Sequence, residues 1–423
     1  MINSLRRMTD EELPGVLSLL AASGGTSRSV ESWRQDRMTA LVLGEKSGTP
    51  AAVMPMSRRT ITVSPGRFLN VGWLSSNQFA SRMGLRRQTR ETFREWPELL
   101  SDLDALLVIR RDEGSLAARW YAHAGFHEVL SIRCLYLDME SAPDSGSSQS
   151  ARYQVQVVNA GQSPADWNPA EWQPQMLSVY RDIYAACGGA PVRSDNFWAP
   201  ALAHHYYRQH YQFQIVGLWG GGGGEADART LMGYAVIGWS GWHSKRPRMD
   251  ILELATRQWD TLAASELLRT TAQLAWTKGV HQVRAVISAH DPYRSHLTRS
   301  GFVDRWGYLM LAKWLHPQRY LDQLAKSLPP DLGGISLRLA SPGEVPLHLD
   351  VRSPAGAAPA FNLQGDARTI TRMLLDRLDV AGALSGGDGT LFPIDSSAPL
   401  PDPTRLALAF PWTPWVFHML DYI

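Results

Sequence analysis

Gly84 precedes a stretch with Leu85, Phe93 and Trp96 on one helical side and Arg86, Arg87, Arg90 and Arg94 on the other; Arg82 stands just ahead. A glycine at the mouth of a helix lets a phosphate reach backbone N–H groups, where the helix dipole also favours an anion. An arginine-rich solvated helix face has the same composition. A second stretch runs from Asp104 to Asp138, DALLVIRRDEGSLAARWYAHAGFHEVLSIRCLYLD, and sets Tyr121 four residues before Gly125. A half-buried core aromatic also suits that position. The third stretch is the chain end, Pro411 to Ile423, with Trp412, Trp415, Phe417 and Tyr422. So apolar a segment is expected to thread into the protein, delivering the Asp421 side chain and the Ile423 carboxylate to a buried place. There a carboxylate takes a proton from an ammonium and holds the cation. A surface-docked terminus is the plainer alternative.

These residues need elements to position them. Ala105 to Ile109 is a short apolar run, read as a strand buried on both faces. Ser115 stands at an N-cap, and Leu116, Trp120, Tyr121 and Ala124 keep helical spacing. Gly125 stops the helix, because glycine alone takes the left-handed C′ conformation freely. Phe126 then leads into another strand. Ahead of this unit, Ile2–Met8 reads as a strand, and Asp10–Ser23 and Ser29–Met38 (with Trp33) as helices. A meander follows through Leu43, Val53, Met56, Ile61 and Val63 to Leu69–Leu74.

Ser141 to Ala151 has linker composition. Beyond it come a strand at Tyr153–Val157, helices at Trp172–Ala186 and Asn196–His210, and strands at Phe213–Leu218, Met232–Trp239 and Met249–Ala255. A helix at Leu262–Lys278 and a strand at Val283–Ser288 lead to a second Gly-Phe. Gly125-Phe126 and Gly301-Phe302 lie 176 positions apart, each after a strand and helix and before a strand. This marks an internal repeat of a whole domain. In the second copy Leu297 replaces Tyr121, and the strand-to-helix passage Ala255–Leu262 has no glycine to admit a diphosphate. Glu253 lies on the strand before it. The remaining chain reads as strands around Ile335–Leu339 and Leu347–Val351, a helix capped by Asp366, and a final strand at Leu406–Phe410.

The 423 residues are 44% hydrophobic and 19% charged with net charge +2, which gives no electrostatic footprint for nucleic acid. Two cysteines, Cys134 and Cys187, leave no disulfide framework or cysteine zinc site. His204, His205 and His210 have no acidic or cysteine partner at ligand spacing, so no metal is expected. The N-terminus lacks a signal-peptide apolar core, and no run reaches the ~18 apolar residues of a membrane helix. A cytoplasmic protein with no membrane partner is expected.

The helix carrying Tyr121 and ending in Gly-Phe resembles the closing half of a GNAT-superfamily acetyltransferase domain. Two such units followed by a sterol-carrier-protein-2-like end resemble the enhanced-intracellular-survival (Eis) type. The resemblance implies an α+β fold: an acetyl-CoA-binding GNAT domain at 1–140, a linker at 141–152, a degenerate second GNAT domain walling the substrate cleft at 153–328, and an SCP2-like domain at 329–423. It implies acetyl-CoA as co-substrate and a small primary amine as acceptor, Tyr121 as general acid and the Ile423 α-carboxylate as base, with Glu253, on a strand that carries the base in many GNAT enzymes, as an outside candidate. Coenzyme contacts fall at Leu74, Ser75, Ser76, Arg82, Met83, Gly84, Leu85, Arg86, Arg87, Ser115 and Leu116, with Trp33 and Asp421 toward the substrate. It also implies a homo-oligomer, with the hexamer common in the family. Ser81 and Arg86 depart from the family's Arg/Gln-x-x-Gly-x-Gly/Ala loop, which keeps open a ligand-binding protein without turnover.

Overall fold

The computed structural model describes residues 2–22, 30–35, 38–45, 50–74, 95–111, 116–143, 152–160, 167–203, 212–220, 229–240, 247–327, 334–339, 347–351, 359–375, 377–385, 391–393 and 403–418. Its main body is one mixed twelve-stranded sheet flanked by helices, an α+β architecture. The first repeat supplies β1 (Ile2–Arg7), β2 (Met38–Glu45), β3 (Pro50–Ser64), β4 (Arg67–Leu74), β5 (Ala105–Arg111) and, after the helix Leu116–His123, β6 (His127–Asp138). β1 to β4 pair antiparallel in order, and β4 pairs parallel with β5. The second repeat does the same with β7 (Gln154–Ala160), β8 (Gln212–Gly220), β9 (Thr230–Ser240), β10 (Arg248–Thr256) and β11 (Gln282–Ser288), parallel only between β10 and β11.

The last strand of each repeat crosses to the other. β12 (Val303–Trp314) pairs with β5, while β6 pairs with β11, both antiparallel. β6 and β12 also pair with each other, so the sheet runs β1-β2-β3-β4-β5-β12-β6-β11-β10-β9-β8-β7. At this seam Gly307 lies against the β6 backbone: a Cβ there would stand 2.2 Å from the Ile132 carbonyl oxygen. Arg133 of β6 grips Asp304 of β12 at 2.9 Å.

Both repeats stop their helix identically. Gly125 and Gly301 have φ of 80° and 89°. Phe126 N–H donates to Tyr121 O and Gly125 N–H to Ala122 O; Phe302 and Gly301 do the same to Leu297 and Thr298. This is the paired bonding of a Schellman stop, and both phenylalanines are 2% exposed beneath it.

Alternation along β5 divides the first repeat into two cores. Leu106 and Val108 pack with Met56, Leu74, Trp96, Tyr121 and Phe126. Ala105, Leu107 and Ile109 pack on the other face with Val71, Met310, Tyr320, Ile370 and Met373. The last two belong to the helix Ala367–Leu374, capped by Asp366, whose carboxylate accepts from Thr369 N–H at 2.7 Å. The remaining strands β13 (Gly334–Leu339), β14 (Leu347–Val351), β15 (Pro359–Gly365) and β16 (Leu391–Pro393) form a separate sheet, ordered β14-β13-β15-β16.

The strand expected at Leu406–Phe410 is instead part of the helix Pro403–Ala409. Proline at its first position and good helix formers after it favour this, and Leu406, Ala409 and Phe410 are buried at helical spacing. The helix expected over Asn196–His210 is observed as Trp198–Ala203; residues 204–211, with all three histidines, lie outside the described residues. Among the described residues no helix is long and apolar enough to cross a membrane, and no group of three metal-ligating side chains occurs.

Candidate functional site

β4 and β5 run parallel from Val71 opposite Ala105 to Leu74 opposite Val108, and β5 continues to Arg111. The helix Leu116–His123 brings Tyr121 against the end of β5. Tyr121 is 3% exposed, edge-on to Trp120 at 4.7 Å and Phe126 at 5.0 Å. Arg110, 5% exposed, lies over its ring at 4.6 Å, donates from one Nη to the Tyr121 hydroxyl and from the other to Ile109 O at 2.7 Å. Burial raises the phenol above its ordinary range; the Arg110 charge and hydrogen bond oppose that shift without cancelling it. The helix end is further held by Lys313, which donates from Nζ to Ala124 O at 2.7 Å.

The matching place in the second repeat is built differently. Leu297 is buried where Tyr121 would stand. Gln258 and Trp259, with φ of 50° and 56°, carry the chain from β10 into the helix Thr261–Thr277. Asp260 caps that helix, accepting from Leu262 N–H at 2.9 Å and Ala263 N–H at 3.2 Å. A carboxylate already occupies the donors that a phosphate would need.

Glu253 does not present a free carboxylate. Its side chain is fully buried, 2.7 Å from the equally buried Arg193, and accepts from the Tyr234 hydroxyl. Burial alone would raise its pKa; Arg193, His418 and the hydrogen bonds from Arg193 and Tyr234 outweigh this and hold it below the usual range. Arg193 is caged by Tyr180, Phe197 and Trp198 at 4.0, 4.1 and 4.9 Å.

Arg193 ends a clasp between the repeats. Gly189 N–H donates to Thr62 O and Thr62 N–H to Ala190 O, on β3 of the first repeat. On its other side, Gly188 exchanges hydrogen bonds with Pro414 O and Val416 N–H of the chain end. That segment is buried, with Trp415 at 0%, Val416 at 1%, Phe417 at 4% and His418 at 5% exposure. Trp415 and Phe417 enter one core and Val416 another, while His418 meets Tyr184 edge-on at 4.6 Å. A Cβ on Gly188 would meet Trp415 Nε1 at 1.9 Å. Gly188→Ala is therefore expected to displace Trp415 and expose the chain end. Limited proteolysis should trim its C-terminus at least several-fold faster than wild type; an unchanged trimming rate would refute the clasp.

Of the sequence-derived site residues, Leu74 and Tyr121 share one apolar cluster. Trp33 packs in another with Leu13, Val16, Leu20 and Val42, 2% exposed, so its ring faces core rather than a cleft. Leu116 opens the Tyr121 helix. Ser75, Ser76, Arg82, Met83, Gly84, Leu85, Arg86, Arg87, Ser115, Asp421 and Ile423 lie outside the described residues. Arg110 escaped the sequence reading although it continues the inward parity of Leu106 and Val108, which was the available signal. A surface concavity of about 560 Å³ lies elsewhere, beside Ser178, Arg181, Asp195 and Arg257. Arg181 there pairs with Asp195, and Arg257 donates to Leu231 O and Ser178.

The sequence matches no family model and no curated protein. Solved structures do match over nearly the whole chain. A conserved protein of unknown function from Enterococcus faecalis V583 superposes with TM-score 0.65 at 13% identity, covering 98% of each chain. A GCN5-related N-acetyltransferase from Kribbella flavida gives 0.58 at 16% identity, covering 99% of this chain and 98% of that one. Eis1 from Mycobacterium abscessus gives 0.55 at 12%, covering 96% of each. The fold is that of the GNAT N-acyltransferases.

Proposed function

We propose that this chain is an acetyl-CoA-dependent N-acetyltransferase acting on a primary amine of a small molecule by direct attack on the thioester. The observation that carries the reading is Tyr121, buried against the end of β5 with its hydroxyl held by Arg110, on a fold shared with GCN5-related N-acetyltransferases. The amine nitrogen attacks the acetyl carbonyl; the C–N bond forms, the C–S bond breaks, and the departing thiolate takes the Tyr121 phenolic proton. The Ile423 carboxylate removes the proton that the amine gives up. Gly84 and Arg82, Arg86 and Arg87 hold the coenzyme phosphates, Leu74 to Ser76 and Ser115 to Leu116 its pantetheine arm, and Asp421 the acceptor. The second repeat, with Asp260 on its helix donors and Leu297 in place of tyrosine, serves as wall rather than as a second active site. The last part, with its four-stranded sheet, serves as an SCP2-like platform that delivers the chain end. A cytoplasmic homo-oligomer, such as a hexamer, completes the proposal.

A second reading is a ligand-binding protein without turnover, favoured by Ser81 and Arg86 in the phosphate loop. One experiment separates the two: thiol release from acetyl-CoA with a panel of primary amines, for native protein and for protein extended by a few residues past Ile423. Native protein should turn over, and the extended form should lose at least about 10²-fold in rate at unchanged melting temperature. Acetyl-CoA binding with no thiol release from native protein establishes the second reading, and equal rates for the two forms rule out the terminal base.

A further inference from the structure

We infer that Arg110 is the positioning residue that makes Tyr121 a usable proton donor, an inference that rests on the proton-donor reading of Tyr121. Its guanidinium is 5% exposed, yet among the described residues no carboxylate pairs with it. Arg193 and Arg284, buried as deeply, each meet one, Glu253 and Asp250, at 2.7 Å. Arg110 instead commits one Nη to Ile109 O and the other to the Tyr121 hydroxyl, leaving Nε without a partner among the described residues. Among the described residues the buried cation thus has no anion beside it until negative charge develops on Tyr121.

Two consequences follow from the chemistry of the pair. Guanidinium has only donors, so the Tyr121 oxygen must accept from Arg110, and its own O–H is left to point at another acceptor. In the proposed reaction that acceptor is the thioester sulfur. The second consequence concerns proton affinity. A thiol of pKa about 8.5 leaves a thiolate that a phenol of pKa about 10 protonates only uphill, and burial raises the phenol further. When the O–H bond of Tyr121 breaks and the S–H bond forms, the phenolate left behind is an anion hydrogen-bonded to a guanidinium. Such charge-assisted bonds are roughly twice as strong as neutral ones. Arg110 therefore narrows the gap in proton affinity at the moment of transfer.

The test compares kcat, KM for acetyl-CoA and the pH dependence of kcat for wild type, Tyr121→Phe, Arg110→Met, Arg110→Gln and Arg110→Lys. The Met and Gln variants both remove the charge, one without and one with a remaining donor, so a folding failure of either leaves the other to decide. Loss of the cation should lower kcat by about 10- to 100-fold with KM changed less than about threefold. It should also move the alkaline limb of kcat up by about one pH unit or more, because an opposite charge at contact shifts a pKa by that much. Arg110→Lys should restore part of kcat and return the limb toward wild type. A merely structural arginine would not move the limb. If Tyr121→Phe lowers kcat as expected while the charge-free variants keep wild-type kcat and limb, the inference about Arg110 is overturned and the proton-donor reading stands. If Tyr121→Phe itself retains wild-type kcat, the proton-donor reading falls first.

Discussion

Tyr121→Phe is expected to lower acyl transfer by about 10²–10⁴-fold, the usual worth of a positioned general acid, while acyl-CoA affinity stays within about threefold of wild type. The ring is 3% exposed and packs edge-on against Trp120 and Phe126. Phe keeps those contacts and removes the hydroxyl; Arg110 loses that acceptor but keeps Ile109 O and the ring beneath it, so the packing is preserved. The loss should therefore appear in kcat and leave binding alone, the mark of an interaction made only in the transition state. Single-turnover thiol release and calorimetric binding of acetyl-CoA separate the two quantities. A Phe variant as fast as wild type would return Tyr121 to the role of a core aromatic.

The second large effect concerns stability. Arg193→Met should cost about 3–5 kcal/mol at neutral pH, the penalty for stranding a buried charge. Among the described residues, Glu253 would keep only the Tyr234 hydroxyl and His418 near it, with no exposure to solvent. The sign with pH follows from the two carboxyl states. In wild type the Glu253 pKa is held low, so the pair stabilises the fold above the unfolded value of about 4.3. That contribution disappears as pH falls through the folded value. In the variant, burial without Arg193 raises the carboxyl, so stability falls as pH rises from about 4.3 through the raised value. The difference between the two proteins should be small near pH 4 and full at pH 7. Denaturant titrations at the two pH values measure it, and adding Glu253→Gln should recover most of the loss. A pH-independent difference would show that the lost ring contacts, and not the stranded charge, are responsible.

The legible parts of the sequence were those governed by local rules. Gly125 and Gly301 could be placed because a helix stop with φ near 80–90° excludes side chains, and the Asp366 cap because its carboxylate serves its own helix. The mixed α+β character followed from the same local patterns. Long-range choices were not legible. Nothing in the apolar run of β5 states that its neighbour is β12 rather than β6. Leu406–Phe410 is a five-residue apolar run that suits strand and helix alike. Glu253 read as an open carboxylate because its partner Arg193 stands 60 residues away. Trp33 was placed toward the substrate by the resemblance alone, whereas its neighbours Leu13, Val16 and Leu20 place it in core. Arg110 shows the reverse failure: a charged residue type drew no attention at the end of a buried strand, although it is only 5% exposed.

The exchanged last strands also set a timetable for synthesis. β5 is complete at Arg111, but its sheet neighbour ends at Trp314, opposite Ala105. Those pairing residues are about 200 positions apart, and at roughly 5–20 residues per second on the ribosome β5 waits roughly 10–40 s for its partner. During that interval the strand has one bare edge and apolar side chains on both faces, the form most prone to pairing with another chain. Natural termination or stalling anywhere before β12 leaves the first repeat in that state permanently, however complete its own sequence. The nascent chain thus depends on a partner not yet translated, and quality control meets it as an unfinished sheet until the second repeat has emerged.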